Sequence, residues 1–157
     1  MQAELLLDAR AALGEGPAWD EKTQTLYWVD VPGRQLRRAR NGSGPVESWA
    51  MPSEPGCIAP ARAGGLVIAL RDGIYRARQW GGALVRLAAA EHDSATTRFN
   101  DGKADPLGRF WAGTIYEPRD APRAALYSLD MRPRAPASAA PAATPALVRR
   151  AGEAVTA

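Results

Sequence analysis

The sequence predicts an all-β protein built like a β-propeller, and three observations favour this fold class. Apolar runs rich in β-forming residues recur along the chain: "TLYWVDV" at 25–31, "GLVIAL" at 65–70 and "RFWAGTI" at 109–115. The equivalent positions Leu26, Leu66 and Phe110 are 40 and 44 residues apart, and repeats of roughly 40–45 residues are typical of propeller blades. The 15 glycines and 13 prolines predict many turns, and no segment before the C-terminal tail has a convincing helical pattern.

Turn signals divide the repeats into individual strands. "VPGR" at 31–34 joins the first run to "QLRRAR", a second strand-like segment. "RDG" joins the second run to "IYRARQ", which predicts a hairpin because Gly73 tolerates a positive φ. "GGALVRLAAAEH" at 81–92 has a helical composition but lies where a blade strand is due, so we predict a strand or an irregular edge there. "ADPLG" precedes the third run, and Asp105 is expected to cap a tight turn in it.

The composition changes near Asp130, which we predict to be a boundary. Residues 131–157 contain ten Ala, four Pro and no aromatic residue, so they can bury little apolar surface. We therefore predict the N-terminal part of a propeller at 1–130 and an Ala/Pro/Arg-rich tail, disordered or frame-shifted, at 131–157. The repeats supply about three blades, whereas closed propellers have roughly 4–8.

Charge and cysteine content exclude several classes of function. Residues 1–130 carry 16 basic and 16 acidic side chains, which argues against a nucleic-acid-binding surface. The first residues include Glu4 and Asp8 and only three consecutive leucines, so we expect neither a signal peptide nor a membrane span. Cys57 is the only cysteine, which fits a reducing compartment, and we expect a cytoplasmic protein. Cys57 remains a candidate nucleophile only with His92 as its base.

Two polar segments contain candidate binding residues. Glu15 lies between two glycines, and its carboxylate is a suitable ligand for Ca²⁺, Mg²⁺ or Mn²⁺. The alternative is a surface glutamate in a Gly-Pro turn. Arg98 and Asn100 are two residues apart, so on an extended segment they face the same side and suit a polyhydroxylated ligand. The alternative for them is a hydrogen-bonded turn between blades. The sequence has no P-loop, dinucleotide fingerprint, HExxH, CxxC or GxSxG motif.

Two blocks, "GEGPAWDEKTQTLYWVDVPGRQLRR" and "RFNDGKADPLGRFWAGTIYEP", resemble the regucalcin/gluconolactonase family, also called senescence marker protein-like. The resemblance covers about residues 5–130. It implies a six-bladed β-propeller with one divalent cation (Ca, Zn, Mn or Mg) at the mouth of the central channel, and metal-dependent hydrolysis of sugar lactones. Glu15 would then be a metal ligand, and Arg98 and Asn100 would bind the substrate. Glu117 lies where family members carry one or two acids after "AGT", which implies a substrate-binding role for it as well.

The sequence departs from this family pattern in its C-terminal part. The resemblance implies an asparagine and an aspartate from later blades as the remaining metal ligands, and the aspartate as the base. This chain has only Asn41 and Asn100, and no aspartate follows Asp130. No catalytic residue is therefore identifiable, and a non-catalytic propeller fragment or an interaction platform is the alternative function. A sugar lactone is the only partner that we predict; no nucleic acid, membrane or oligomeric partner follows from the sequence.

Overall fold

The structure is a computed structural model that describes residues 2–130, 132 and 146–152. These residues form three four-stranded antiparallel sheets. The first sheet consists of β1 (Gly14–Asp20), β2 (Thr25–Asp30), β3 (Gln35–Arg40) and β4 (Val46–Ala50). The second consists of β5 (Pro55–Pro60), β6 (Leu66–Leu70), β7 (Gly73–Ala77) and β8 (Val85–Ala89). The third consists of β9 (Thr97–Ala104), β10 (Arg109–Tyr116), β11 (Ala125–Asp130) and β12 (Leu147–Gly152).

The described residues contain no helix, which confirms the predicted all-β class. No helix in this part of the chain is therefore long and apolar enough to cross a membrane. Within each sheet, strands that follow one another in sequence also pair with one another. The first strands of the three sheets, β1, β5 and β9, lie beside one another, with β5 in the middle. This arrangement is that of consecutive propeller blades around a common axis.

The middle sheet is apolar on both faces because it is covered by a sheet on each side. All five residues of β6 are buried. Leu66, Ile68 and Leu70 pack into a core shared with the first sheet, whereas Val67 and Ala69 pack into a core shared with the third sheet. Since successive side chains of a strand point to opposite faces, one continuous apolar run supplies both cores. The outermost strand β4 alternates between exposed and half-buried residues instead.

Two glycines allow β5 and β9 to approach closely. A Cβ atom on Gly56 would collide with the backbone carbonyl group of Phe99. A Cβ atom on Gly102 would collide with the backbone oxygen of Trp111 and would lie 2.7 Å from Sγ of Cys57. The second and third sheets are therefore held at a separation that no larger residue permits at these two positions.

The predicted turns are present, with one correction. Asp105 caps its turn as expected: its carboxylate accepts hydrogen bonds from the backbone N–H groups of Leu107 and Arg109. The β6–β7 hairpin is confirmed, but the stated reason for Gly73 is wrong, because Gly73 is not among the residues with a positive φ. The glycine is required there because a Cβ atom would lie 2.5 Å from the carbonyl oxygen of Ala88 on β8.

Two segments with an uncertain pattern, 81–92 and the tail at 131–157, each contain a strand. The segment 81–92 contains β8, so the strand prediction is confirmed over its helical composition. Disorder, one of the two alternatives predicted for the tail at 131–157, is contradicted at Leu147–Gly152, which forms β12 and pairs with β11 along its length. Leu147 and the β-branched Val148 in "LVRRAG" favour this pairing, with Leu147 buried in the core of the third sheet. The rest of the tail, apart from Arg132 and Ala146, lies outside the described residues.

The end of the sheets at which β1, β5 and β9 begin is called the upper end. The antiparallel order brings to this end the turns between the second and third strands of each sheet, at 31–34, 71–72 and 117–124. The connections between sheets, at 51–54 and 90–96, lie there as well. A hydrogen bond from the N–H of Met51 to the carbonyl oxygen of Arg34 joins two of these segments.

Replacement of the close-contact glycines is expected to destabilise the protein. Gly56→Ala and Gly102→Ala should each lower the free energy of unfolding by about 1–3 kcal/mol, because the added methyl group has no space. Gly113→Ala is the matched control, since a Cβ atom there would meet its nearest neighbour at 3.8 Å, an ordinary contact. Urea unfolding followed by the fluorescence of the five tryptophans measures the difference. Equal stability of the Gly56→Ala and Gly113→Ala variants would contradict the close approach of β5 and β9.

Candidate functional site

Five charged side chains of alternating sign form a continuous row across the upper end. This row, called the charge chain, consists of Arg34, Glu54, Arg71, Glu117 and Arg98. The successive N–O distances are 2.9 Å, 2.9 Å, 2.9 Å and 3.3 Å. Its members come from all three sheets or from the connections between them, so the charge chain links the upper ends of the sheets.

Arg71, in the β6–β7 turn, has the most contacts in the charge chain. Its Nε donates to Oε2 of Glu54 at 2.9 Å. Its Nη1 and Nη2 donate to the two carboxylate oxygens of Glu117 at 3.0 Å and 2.9 Å. Nη1 also donates to the carbonyl oxygen of Ser94, and the carbonyl oxygen of Arg71 contacts Nε2 of His92 at 2.9 Å. The guanidinium plane is thus fixed by partners on three sides, which suits the rigid fork of arginine.

The structure brings together three of the predicted site residues. They are called the Arg98 cluster and are Arg98, Asn100 and Glu117. Arg98 is the second residue of β9, and its side chain is only 12% exposed. Its Nη1 donates to Oδ1 of Asn100 at 2.9 Å, and its Nε lies 3.3 Å from Oε1 of Glu117. The predicted same-side placement of Arg98 and Asn100 on an extended segment is therefore present. Glu117 directly follows β10 and reaches the cluster from the neighbouring strand.

Glu15 lies near the beginning of β1, at the upper end, and is half-buried. Gly16, with φ of 59°, and a register shift between Glu15 and Ala18 bend the strand at this point. The segment before Glu15 is anchored by the buried carboxylate of Asp30, which accepts hydrogen bonds from the N–H groups of Ala12 and Leu13 at 3.2 Å each. Glu15 therefore has a defined position on β1, one of the three strands next to the common axis, which are called the inner strands, rather than at the end of a loose segment.

The described part of the chain offers a divalent cation too few ligands. Within residues 2–130, 132 and 146–152, no group of three or more His, Cys, Asp or Glu side chains is close enough to hold a metal ion. Ca²⁺ takes 6–8 oxygen ligands, and Glu15 supplies at most two of them. The residues present thus do not fit a divalent cation by themselves.

Carboxylates of the charge chain are ionised well below neutral pH. Burial opposes the ionisation of Glu54, but hydrogen bonds from its own backbone N–H, from Arg71 and from Arg34 outweigh burial and lower its pKa from 4.5 to about 2. The hydrogen bonds from Arg71 lower the pKa of Glu117, with a further contribution from the charge of Arg98. Both carboxylates are therefore pure hydrogen-bond acceptors at neutral pH.

Cys57 and His92 do not form the nucleophile and base that the sequence left open. The thiol of Cys57 is 1% exposed, and burial raises its pKa, with the charge of Asp101 acting in the same direction. A thiolate is thus disfavoured there. His92 contacts the carbonyl oxygen of Arg71 through Nε2, and its ring packs edge-on against Phe99 at a centroid distance of 5.1 Å. Cys57 and His92 are thus both packed within the fold, and neither is placed to act as a nucleophile or a base.

A cleft of about 260 Å³ lies beside the third sheet. The connection 90–96 forms one side of it, and strands β10, β11 and β12 form the other. Arg123, Tyr127 and Arg149 are among its lining residues, and the guanidinium of Arg123 stacks over Tyr116 at 5.2 Å. Neither Glu15 nor any residue of the Arg98 cluster lines this cleft.

Sequence reasoning missed Arg71, Glu54 and Arg34. Arg34 and Arg71 lie in corresponding turns, "VPGR" and "RDG", each of which ends a buried second strand of a repeat. Comparison of these turns between repeats was the signal that could have identified them, because charged residues at corresponding blade ends meet at the same end of the fold. Glu54 had no comparable signal, since it lies in a connection whose path depends on the packing of the sheets.

Comparisons with known proteins agree with this architecture. The sequence profile described as the SMP-30/gluconolactonase/LRE-like region matches residues 13–145. A 6-deoxy-6-sulfogluconolactonase of Pseudomonas putida is 41% identical over 125 residues, which are 80% of this chain and 43% of that protein. Regucalcin of Danio rerio is 36% identical over 133 residues, which are 82% of this chain and 44% of that protein.

The fold has a counterpart among solved structures. The crystal structure of regucalcin from Agrobacterium tumefaciens, a calcium-binding protein, superposes with a TM-score of 0.77 at 24% identity. The match covers 94% of this chain and 46% of that protein. It confirms the β-propeller fold. The chain spans less than half the length of each of these three relatives.

The lowered pKa of Glu54 predicts how stability depends on pH. Because its pKa is below the unfolded-state value near 4.5, Glu54 stabilises the fold fully above about pH 4.5, and this contribution is lost as the pH falls towards 2. Wild type should be more stable than Glu54→Gln by about 1–3 kcal/mol at neutral pH, and the difference should vanish in acid. Urea unfolding at a series of pH values measures it, with exposed Glu21→Gln as the control. A difference that does not change with pH would argue against the ion pairs of Glu54.

Proposed function

The chain belongs to the SMP-30/gluconolactonase/LRE-like family, and on that premise we propose that it supplies the sugar-binding part of a site for metal-dependent hydrolysis of sugar lactones. The observation that carries the proposal is the Arg98 cluster at the upper end. There the guanidinium of Arg98, on β9, lies within hydrogen-bond distance of both the Asn100 amide, on the same strand, and the Glu117 carboxylate, which directly follows β10. Such a set offers both donors and acceptors to one small polar ligand.

The chemistry of the Arg98 cluster matches a sugar lactone. The guanidinium of Arg98 can only donate, so the oxygen of the Asn100 amide faces it and the NH₂ group is the part of Asn100 that remains for a ligand. The carboxylate of Glu117 accepts hydrogen bonds from hydroxyl groups. A lactone ring with several hydroxyl groups requires donors and acceptors in fixed places, and their role is to orient the ring rather than to make or break bonds.

The relatives support the substrate class. The P. putida protein is named for a gluconolactone with a sulfo group at carbon 6, and a 37% identical protein of Azospirillum brasilense is named L-arabinolactonase. Both names specify the lactone of a sugar acid, although the sugars differ. For this chain we propose a small-molecule sugar lactone as the ligand. We also propose a cytoplasmic location, which the lone buried cysteine supports.

We include one divalent cation (Ca, Zn, Mn or Mg) in the proposal, with Glu15 as one of its ligands. Support comes from the position of Glu15 on an inner strand at the upper end and from the calcium-binding regucalcin of A. tumefaciens. The remaining ligands and the base would have to come from outside the described residues. No catalytic step is therefore assigned to a residue of this chain, whose own part is to bind and orient the sugar.

The alternative function is that of a non-catalytic propeller fragment or interaction platform. The observation that favours it is the single carboxylate at the candidate metal position, where a working site needs several ligands. The two functions differ in sugar binding. The proposed function requires a sugar to bind at the Arg98 cluster, whereas an interaction platform does not.

Loss of Arg98 is expected to weaken sugar binding. The probe is 1,5-anhydroglucitol, which has the ring and hydroxyl groups of gluconolactone but cannot hydrolyse. Arg98→Met should lower the affinity about tenfold or more, as the loss of charge-assisted hydrogen bonds predicts. Arg109→Met is the matched control, because Arg109 is also paired with a carboxylate, Asp105, but lies at the other end of the same hairpin. An NMR titration measures both. Equal affinity of Arg98→Met and wild type, or no binding at all, would contradict the proposed function.

Glu15 is expected to contribute to a weak cation site. Ca²⁺ should bind the chain with a dissociation constant of about 1 mM or weaker, since few ligands are present. Glu15→Gln should weaken this binding further, and Glu21→Gln, in the turn that follows β1, should not. Gluconolactone hydrolysis in a pH-stat should stay at the uncatalysed rate with Ca²⁺, Zn²⁺, Mn²⁺ and Mg²⁺. Cation-dependent turnover that Glu15→Gln abolishes would show that the ligand set is complete without further residues.

A further inference from the structure

We propose that Arg71 is the positioning residue of the Arg98 cluster. Through the carboxylate of Glu117, it holds Arg98 in the orientation that presents both side chains to the sugar. The inference rests on the proposed function, because it concerns the same ligand site, but the contacts on which it depends can be tested without any ligand.

One carboxylate oxygen connects the two arginines. Oε1 of Glu117 accepts a hydrogen bond from Nη2 of Arg71 at 2.9 Å and lies 3.3 Å from Nε of Arg98. The other oxygen, Oε2, accepts from Nη1 of Arg71 at 3.0 Å. A carboxylate bound at both oxygens by one guanidinium is fixed in its plane as well as in its distance. The direction from which Arg98 meets Glu117 is therefore set by Arg71.

Glu117 depends on such support more than Arg98 does. Its side chain is 39% exposed, and it lies in the loop that follows β10, whereas Arg98 is 12% exposed on β9. Without a partner on the far side, a half-exposed glutamate in a loop samples several rotamers. Arg71 removes this freedom before the ligand binds, so that binding does not have to supply the ordering free energy.

Arg71 is itself held rigidly, as a positioning residue must be. Glu54 binds its Nε, and the carbonyl oxygen of Ser94 accepts from its Nη1 at 3.0 Å. Its backbone carbonyl contacts His92 and accepts a hydrogen bond from Ser94 Oγ. These partners lie in the connections on either side of the second sheet, so these connections fix the orientation of Arg71, and Arg71 in turn orients Glu117 at the third sheet. A ligand contact supported by fixed neighbours keeps its geometry.

The chain contains a matched ion pair that serves as a control for a purely structural role. Arg38 binds both carboxylate oxygens of Glu47 at 3.0 Å and 2.6 Å, and its side chain is 13% exposed. This pair joins β3 to β4 within the first sheet, and Arg38 stacks over Trp80 at 4.5 Å. It resembles the pair of Arg71 and Glu117 in geometry and burial but has no contact with the Arg98 cluster.

The test compares Arg71→Met, Arg71→Lys and Arg38→Met in the full chain. Arg71→Met should lower the affinity for 1,5-anhydroglucitol about tenfold and raise the pKa of the Glu117 carboxyl, followed by ¹³C NMR, towards its usual value. Arg71→Lys keeps the charge but lacks the fork, so it should restore less than half of the lost binding free energy. Arg38→Met should lower the stability but leave the affinity within about twofold of wild type.

Three results would overturn the proposal. They are an unchanged affinity in a folded Arg71→Met variant, full rescue by Arg71→Lys, and an equal loss of affinity in Arg38→Met. If wild type itself does not bind the sugar, the proposed function fails, and the positioning role is then decided by the NMR signal of the Arg98 Nε–H group. That signal should shift in Arg71→Met and stay unchanged in Arg38→Met; no shift in Arg71→Met overturns the role. If Arg71→Met does not fold, the NMR signal of the Arg98 Nε–H group is measured in Arg71→Lys instead.

Discussion

The close approach of β5 to β9 determines how the rest of the structure fits together. A Cβ atom on Gly56 would collide with the backbone of Phe99 on β9, and one on Gly102 would lie 2.7 Å from Sγ of Cys57 on β5. The second and third sheets are consequently near enough for Arg71, in the turn of one sheet, to reach Glu117, in the loop of the next. An ion pair between two separate sheets is sensitive to their spacing, because a displacement of one ångström already removes a hydrogen bond. Backbone packing near the axis thus sets the geometry of the polar upper end.

The charge chain is better explained by function than by stability. Partly buried ion pairs lose hydration free energy that their attraction does not always recover, so apolar residues at the same places could give a fold of equal stability. A ligand site has a different requirement: donors and acceptors must have fixed directions before the ligand arrives. The alternating charges meet that requirement at Arg98, since each member of the row is oriented by the one before it.

The sequence allowed prediction of the features that depend on local pattern. The apolar runs identified the buried strands, because a strand covered on both faces, such as β6, must be apolar at every position. The two-residue spacing of Arg98 and Asn100 predicted their shared side, which follows from the geometry of any strand. Arg71 could not be found in this way, because its partners are 17 and 46 residues away in the sequence. The pairing of β12 with β11 was missed because composition, dominated by alanine, proline and arginine, concealed a short strand.

Binding of a sugar at the Arg98 cluster, at the upper end of the sheets, is the proposal from which the roles of Arg71 and of the charge chain follow. A crystal structure of the chain grown with 1,5-anhydroglucitol tests it most directly. The ring should lie beside Arg98, with hydroxyl oxygens within hydrogen-bond distance of its guanidinium, of the Asn100 amide or of the Glu117 carboxylate. A ring bound instead in the cleft beside the third sheet, against Tyr127 and Arg149, would contradict sugar binding at the Arg98 cluster.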